Sequence, residues 1–388
     1  MKILHTSDWH LGRILHGIHL TDDQAYILDQ FVAFVKDYRP DVILVAGDIF
    51  DRAVPPIEAV NLLDEVVSKI LIDFNIPMIM IAGNHDSPDR LEFGSRLMEG
   101  RGLSISGKLF TPMKPIVLYD KYGPVNFYSV PFAEPAVVRD KLSDDTIHVH
   151  DTAMCKLIEY IKHGMDKNVR NVLIGHAFVA GGEESESERP LSVGGSSVVN
   201  SSYFKDFDYV ALGHLHRPQR IGSESIRYSG SLMKYSFSEA NQKKGICFIE
   251  MDKTGDVLVE EIELKPKRDL RCIEGYLNEL LDEAKYDQNK DDYLCVTLKD
   301  EGALLDPMGK LRKVYPNVLH IERHQLVSSG NLVRADRDFK KMSEVDLFAS
   351  FYSQVADREF TDEYKKVFEE ILKSFYKNRE GGVKDEAS

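Results

Sequence analysis

Five short stretches carry side chains that could hold metal ions, and each closes an apolar run: Asp8-Trp9-His10, Gly47-Asp48, Gly83-Asn84-His85-Asp86, Gly175-His176 and Gly213-His214-Leu215-His216. Carboxylate, imidazole and amide oxygen, with no thiolate among them, suit hard divalent cations such as manganese. In an extended segment residues i and i+2 face the same way, so Asp8 and His10 are expected to grip one ion, and His214 and His216 to aim at one site. His5 is three residues from Asp8, on the opposite face, and is left out. Two cations roughly 3.5–4 Å apart would clamp the attacking and leaving oxygens of an in-line displacement and lower the pKa of bound water. One carboxylate must then lie between them. Asp48, delivered by the buried run Val42–Ala46, is the natural bridge, and the chemistry implied is metal-dependent phosphodiester hydrolysis. A single Asp-x-His or Gly-His means little, because either is more often an ordinary polar residue. The recurrence of five in one chain carries the reading.

The elements that must position these residues follow from periodicity. Residues 2–8, 42–47 and 76–82 read as strands. Between them, helices are expected over 22–38, where Ile27, Phe31, Phe34, Val35 and Tyr38 keep helical spacing, and from Pro55-Pro56 to about 72. A further helix is predicted over 91–98 and another over 151–163, feeding a strand at 171–175. Strands at 125–131, 208–213, 226–230, 245–251 and 257–264 complete the pattern. Strand–helix alternation first and strands later predict an α/β fold, a mixed β-sandwich flanked by helices. Residues 181–202, rich in Gly, Glu and Ser, form a long loop that is either functional or a solvated insertion.

Near Lys265-Pro266-Lys267-Arg268 the character changes. The spacing predicts a helix over 273–284, a strand over 293–298, a helix over 308–315 and a strand over 317–323, a small α/β unit. Two amphipathic helices then follow, the second beginning after Thr361 as N-cap and carrying Tyr364, Val367, Phe368, Ile371, Leu372, Phe375 and Tyr376. The expected organisation is 1–265, 266–338, 339–379 and a disordered tail at 380–388.

Composition bounds the rest. A chain of 388 residues holds two or three domains with one sizeable core. Its four cysteines are scattered with no C-x-x-C pair, which fits reduced thiols in a cytoplasmic protein. No apolar run is long enough to span a bilayer, so no membrane association is expected. The net charge of −14 counts against a freestanding nucleic-acid binder, although bound cations would reverse the sign locally. Gly102-x-x-x-x-Gly107-Lys108 resembles a P-loop but has Leu109 in place of the magnesium-binding hydroxyl, so no nucleotide site is assigned. His148-x-His150 sits in a polar stretch and reads as solvated. His16 and His19 flank the first loop and read as surface residues.

Taken together, the five motifs resemble the calcineurin-like metallophosphoesterase superfamily. The opening residues 2–12 and the stretch 187–195 narrow the resemblance to the SbcD family of bacterial nuclease subunits. The resemblance implies one ion held by Asp8, His10, Asp48 and His216, and a second held by Asp48, Asn84, His176 and His214, both manganese. It implies that His85 stands beside the scissile phosphate as general acid, with Asp51 or Asp86 orienting its imidazole. It further implies a DNA nuclease with 3′→5′ exonuclease action on duplex ends and endonuclease action on single strands and hairpins. DNA would be the substrate, an SbcC-type ATPase the partner in a heterotetramer, and 56–72 with 88–98 the surface of a homodimer. Residues 266–338 would cap the site and 339–379 would dock on the ATPase, with Lys265, Lys267, Arg268, Arg271, Lys310, Arg312 and Lys313 available to phosphates. The alternative within the superfamily is a phosphatase, because Gly47-Asp48-Ile-Phe-Asp51-Arg52 resembles the phosphoprotein-phosphatase signature. Those enzymes, however, have Gly-Asn-His-Glu where this chain has Asp86.

Overall fold

The computed structural model describes residues 1–191, 197–302, 304–323, 345, 348, 349, 352 and 360–381, with backbone alone from 373. Two six-stranded sheets face each other. The first is ordered Val257–Glu263, Gly245–Met251, Lys2–Thr6, Val42–Ala46, Met78–Ile81, Leu103–Ser106. The second runs Gln219–Ile221, Ser223–Tyr228, Tyr209–Gly213, Arg170–His176, Gly123–Val130, Ile116–Asp120. Within each sheet four consecutive strands are parallel. Parallel strands deliver their C-terminal ends to one edge, the place where α/β sheets build their sites.

The pleat explains why the ligand-bearing strands are apolar at nearly every position. Ile3, Leu44, Ala46, Ile79 and Ile81 point inward and meet Phe127, Val172, Ile174, Tyr209 and Ala211 from the opposite sheet. The alternate residues Leu4, Ile43, Val45, Met78 and Met80 point outward and pack with Ile27, Phe31 and Val35 of helix Thr21–Tyr38 and with Ala59 and Val66 of helix Ile57–Ser68. On the far side Leu173, Val210 and Leu212 pack with Leu157, Ile158 and Ile161 of helix His150–Gly164. Strands covered on both faces read as continuous hydrophobic runs. A Leu44→Ala substitution in this central layer would cost roughly 2–5 kcal/mol.

Two predicted helices differ from the structure. The helix expected over 273–284 begins only at Leu277, because Leu270–Gly275 is a strand paired in parallel with Tyr293–Leu298. With burial alternating along only six residues, that strand is too short for its period to stand out from the helical spacing that follows. The helix expected over 91–98 is two short pieces, Pro88–Leu91 and Ser95–Glu99, parted by Gly94 at φ 75°. The P-loop look-alike contains the edge strand Leu103–Ser106, which the hydrophobic pattern leaves unassigned.

Tyr293–Leu298 also pairs in parallel with Val318–Arg323, and this three-stranded sheet closes over Leu277, Leu280, Leu294, Val296 and Leu311. It is fastened to the sandwich by Asp23, which accepts from Arg268 at 2.6 and 2.9 Å and from the Tyr293 hydroxyl at 2.9 Å. Residues 325–388 form a second unit. In it the Phe348 ring stacks on Phe368 at 3.9 Å, and Tyr352 meets Phe360 and Tyr364 at 5.4 and 5.5 Å. Part of the aromatic stripe is therefore consumed internally, while Val367 and Ile371 remain exposed. Of the predicted disordered tail at 380–388, residues 380 and 381 instead end the helix Asp362–Gly381, while 382–388 and much of 324–359 lie outside the described residues. No helix among the described residues is long and apolar enough to cross a membrane.

Candidate metal centre

The first two ligand loops run side by side because the chain continues to pair after its strands end. Asp8 donates its N–H to the Gly47 carbonyl at 3.0 Å, His10 to Asp48 at 2.9 Å and Leu11 to Ile49 at 2.9 Å. Asp8, His10, Asp48 and His214 all sit at positive φ (53°, 46°, 49° and 106°), a region that costs a non-glycine residue on the order of 1–3 kcal/mol. The extended geometry expected for Asp8/His10 and His214/His216 is thus absent. Asp8 and His10 converge through left-handed turns, and His214 and His216 diverge. His216 turns toward His10, whereas the His214 ring lies 5.5 Å from that of His176. Gly47 and Gly213 permit the close approach, since a Cβ on Gly47 would collide with His176 Nδ1 and one on Gly213 with the Ala46 carbonyl.

The ligand atoms gather in two buried groups, Asp8/His10/His216 and Asp8/Asp48/His176. Asp8 is common to both, and Asp48 Oδ2 of the second group lies 3.7 Å from His10 Nε2 of the first as well as 3.5 Å from His176 Nε2. His10 Nε2 and His216 Nε2 are 3.0 Å apart, and the buried His10 Nδ1 has no hydrogen-bond partner. Either neutral tautomer of His10 therefore leaves one buried ring nitrogen unsatisfied, a state proteins avoid. His176 uses Nδ1 on the Ala46 carbonyl at 2.9 Å, which turns Nε2 toward Asn84 Oδ1, also at 2.9 Å. Imidazole nitrogens, an amide oxygen and carboxylates converging in one buried place fit a divalent cation.

The electrostatics agree. Burial pushes His10 and His214 well below the usual imidazole value, so both are neutral and able to ligate. Burial opposes ionisation of Asp48, but the charge on His176 wins and holds the carboxyl well below its usual range. Burial likewise works against charging His176, yet Asp48 raises it to about 9. A cation at this place would take over the role of that proton. Burial lifts Asp8 to about 6.

Comparison with known proteins identifies the arrangement. Residues 1–218 match the calcineurin-like phosphoesterase family, and residues 266–356 match the SbcD_C family, described as type 5 capsule protein repressor C-terminal domain. The chain belongs to the calcineurin-like phosphoesterase family. It is thereby a metal-dependent hydrolase of phosphoesters. It is 38% identical over 372 residues, 96% of this chain and 98% of the relative, to the D subunit of the SbcCD nuclease of Staphylococcus saprophyticus. Among solved structures it is similar to TT1561 of Thermus thermophilus (14% identity, TM-score 0.37). A dimetal phosphatase from Danio rerio is similar too (12% identity, TM-score 0.38), and each match covers 67% of this chain and 98% of the other.

In this phosphoesterase His85 has its main-chain N–H on Asp48 Oδ1 at 2.8 Å and its ring 4.7 Å from His10. Its Nδ1 meets the main-chain oxygen of Asp51 at 2.8 Å, leaving Nε2 free. Neither candidate carboxylate orients the ring. The Asp51 carboxylate accepts from Arg13 at 2.8 Å, and that of Asp86 is spent on the N–H groups of Ile49, Phe50 and Gly83. His5 is buried away from the cluster against Tyr209 and the Leu212 carbonyl. His148 is exposed, but His150, expected to be solvated, is buried with its ring stacked on Phe132, because it opens the helix that covers the second sheet. Of the basic residues proposed to meet phosphates, Arg268 is committed to Asp23, Arg271 to Asp287 and Asp292, and Arg312 to the Val318 carbonyl. Lys265, Lys267, Lys310 and Lys313 remain exposed.

The supports of His216 were not legible beforehand. Ser187 Oγ lies 2.6 Å from His216 Nδ1 and donates to Glu239, which pairs with Lys244 at 2.6 Å. Glu188 accepts the His216 N–H at 2.7 Å. The only advance signal was the resemblance carried by 187–195, of which 192–195 lie outside the described residues.

Proposed function

We propose that this chain is the manganese-dependent nuclease subunit of an ATPase-coupled DNA-processing complex. The observation that carries the reading is similarity along almost the whole length to the staphylococcal nuclease subunit, including the 266–356 region that a small phosphatase does not need. Asp8, His10, Asp48 and His216 would hold one Mn2+, and Asp48, Asn84, His176 and His214 the other. Bound there, the ions would supply Lewis-acid polarisation of the phosphate and would lower the pKa of water. Asp48 would be the shared ligand, a reading supported by its Oδ2 lying 3.7 Å from His10 Nε2 and 3.5 Å from His176 Nε2. His85, held by the Asp51 carbonyl, turns its free Nε2 toward the site and gives a proton to the leaving oxygen. Arg13, fixed by Asp51, keeps a positive charge beside the reacting phosphate.

Residues 266–338 serve as the cap and 339–379 as the docking segment for an SbcC-type ATPase, with Val367 and Ile371 available to the partner. Ile57, Ile72, Phe93 and Leu97, all strongly exposed, are the apolar surface of a homodimer, which with the ATPase makes a heterotetramer. The purified chain with Mn2+ is offered an end-labelled duplex, a hairpin and a phosphopeptide. Shortening of the duplex from its 3′ ends and opening of the hairpin are expected. Phosphate release from the peptide with the DNA left intact would replace the nuclease by a phosphatase.

A further inference from the structure

Every polar atom of His216 but one is accounted for by its surroundings. Its N–H goes to Glu188 at 2.7 Å, and its carbonyl accepts from Lys244 Nζ at 2.6 Å and from the Ser231 N–H at 3.1 Å. Ser187 Oγ spends its single hydrogen on Glu239, so toward His216 Nδ1, 2.6 Å away, it has only a lone pair to offer. A neutral imidazole here must then carry its proton on Nδ1, which leaves Nε2 a bare lone pair facing His10 Nε2 at 3.0 Å. Glu239 is fully buried and its charge is balanced by the equally buried Lys244, so the direction of the chain of hydrogen bonds is set by a fixed ion pair.

We propose that Ser187, itself fixed by the Glu239–Lys244 pair, is the positioning residue that locks His216 as its Nδ1–H tautomer with Nε2 presented for metal binding. The proposal rests on the metal-centre reading above, and it gives the first half of the 181–202 loop a function: it delivers Ser187 and Glu188 to a residue on another strand end. Outer partners of this kind typically contribute 10–100-fold to metal affinity.

The test uses the full-length chain and its Ser187→Ala and Ser187→Thr variants, with two readouts. Nitrogen-15 imidazole spectra of the metal-free proteins report the His216 tautomer: one Nδ1–H form in the parent chain, a mixture in Ser187→Ala, and the single form again in Ser187→Thr. Calorimetric titration with Mn2+ should show one of two sites weakened about 10–100-fold in Ser187→Ala, and the other within about twofold of the parent chain. An unchanged tautomer together with two unchanged affinities in Ser187→Ala would overturn the proposal. Should the parent chain take up no Mn2+, the metal-centre reading fails, and the tautomer spectra alone decide the role of Ser187.

Discussion

The strand Arg170–His176 carries a buried cationic or titratable side chain at each end, and the two ends are completed in opposite ways. At the first, Arg170 reaches both oxygens of Asp120 at 2.9 and 2.5 Å and the carbonyls of Gly123 and Asp252 at 3.0 and 3.2 Å. Each of these hydrogens finds an acceptor, and opposite charges meet. At the second, His176 faces Asn84 Oδ1 and Asp48, while His10 nearby keeps a buried nitrogen without a partner. There the acceptors outnumber the donors, and four residues hold left-handed backbone. Burying polar groups is tolerable when they are matched and costly when they are not. The matched end holds the sandwich together. The unmatched end is completed by something that is not protein.

The hardest blow to this contrast falls on Asp48. Asp48→Asn removes the charge that faces both His10 and His176, and a loss of about 4 kcal/mol in transition-state stabilisation corresponds to roughly 10³-fold in rate. Single-turnover cleavage of a labelled duplex in Mn2+ should fall by at least that factor, and calorimetry should find fewer bound ions. Retention of both ions and of full cleavage would mean that the unmatched end is as structural as the other.

His85 sharpens the contrast within the unmatched end, because it lies outside the two buried ligand groups, in a less buried group with His10 and Asp51. His85→Ala should bind both ions as the parent chain does and cleave about 10²–10⁴-fold more slowly, the usual contribution of a general acid. A parallel loss of ion binding would move His85 into the ligand set.

How far these ends were readable beforehand follows the same division. Val42–Ala46 and Arg170–His176 are visible because strands buried on both faces must be apolar, and an Asp or His closing such a run stands out against it. Asp8 and His10 do come together, though through left-handed backbone rather than the extended segment the spacing assumes, whereas for His214 and His216 the spacing rule failed, since His214 also sits at positive φ. Ser187, Glu239 and Lys244 were hidden because long-range hydrogen bonding leaves no local pattern; 52 positions separate Ser187 from Glu239. The same reason hides the commitment of Arg268 to Asp23, 245 residues earlier, so that a run of basic residues at 265–268 looked freer than it is.

Breaking the matched end should have the reverse profile. Arg170→Ala leaves Asp120 with the Met1 ammonium, 2.8 Å away, as its remaining cation and leaves the Gly123 and Asp252 carbonyls without their donor, which should cost roughly 1–3 kcal/mol of folding stability. Urea denaturation would register the change. Cleavage per folded molecule should stay within about twofold of the parent chain, since the substitution lies at the opposite end of the strand. A large loss of turnover at unchanged stability would mean that the two ends are coupled through the strand.

The smallest effect is a pH dependence, and its sign follows from Asp120. The hydrogen bond from Arg170 holds this carboxyl well below its ordinary value. A carboxylate with a depressed pKa in the folded state stabilises above its unfolded pKa of about 3.9, and that contribution is lost as pH falls toward the folded value. Asp120→Asn, which keeps the shape but cannot ionise, should therefore be less stable than the parent chain at pH 7, by on the order of 1–2 kcal/mol after solvent screening. The gap should narrow steadily as pH is lowered below about 4, because the parent chain alone loses the ion pair. Paired urea titrations across that range would show it. A gap that stays constant down to strongly acid pH would mean that Arg170 is held by the Gly123 and Asp252 carbonyls, with the Asp120 charge incidental.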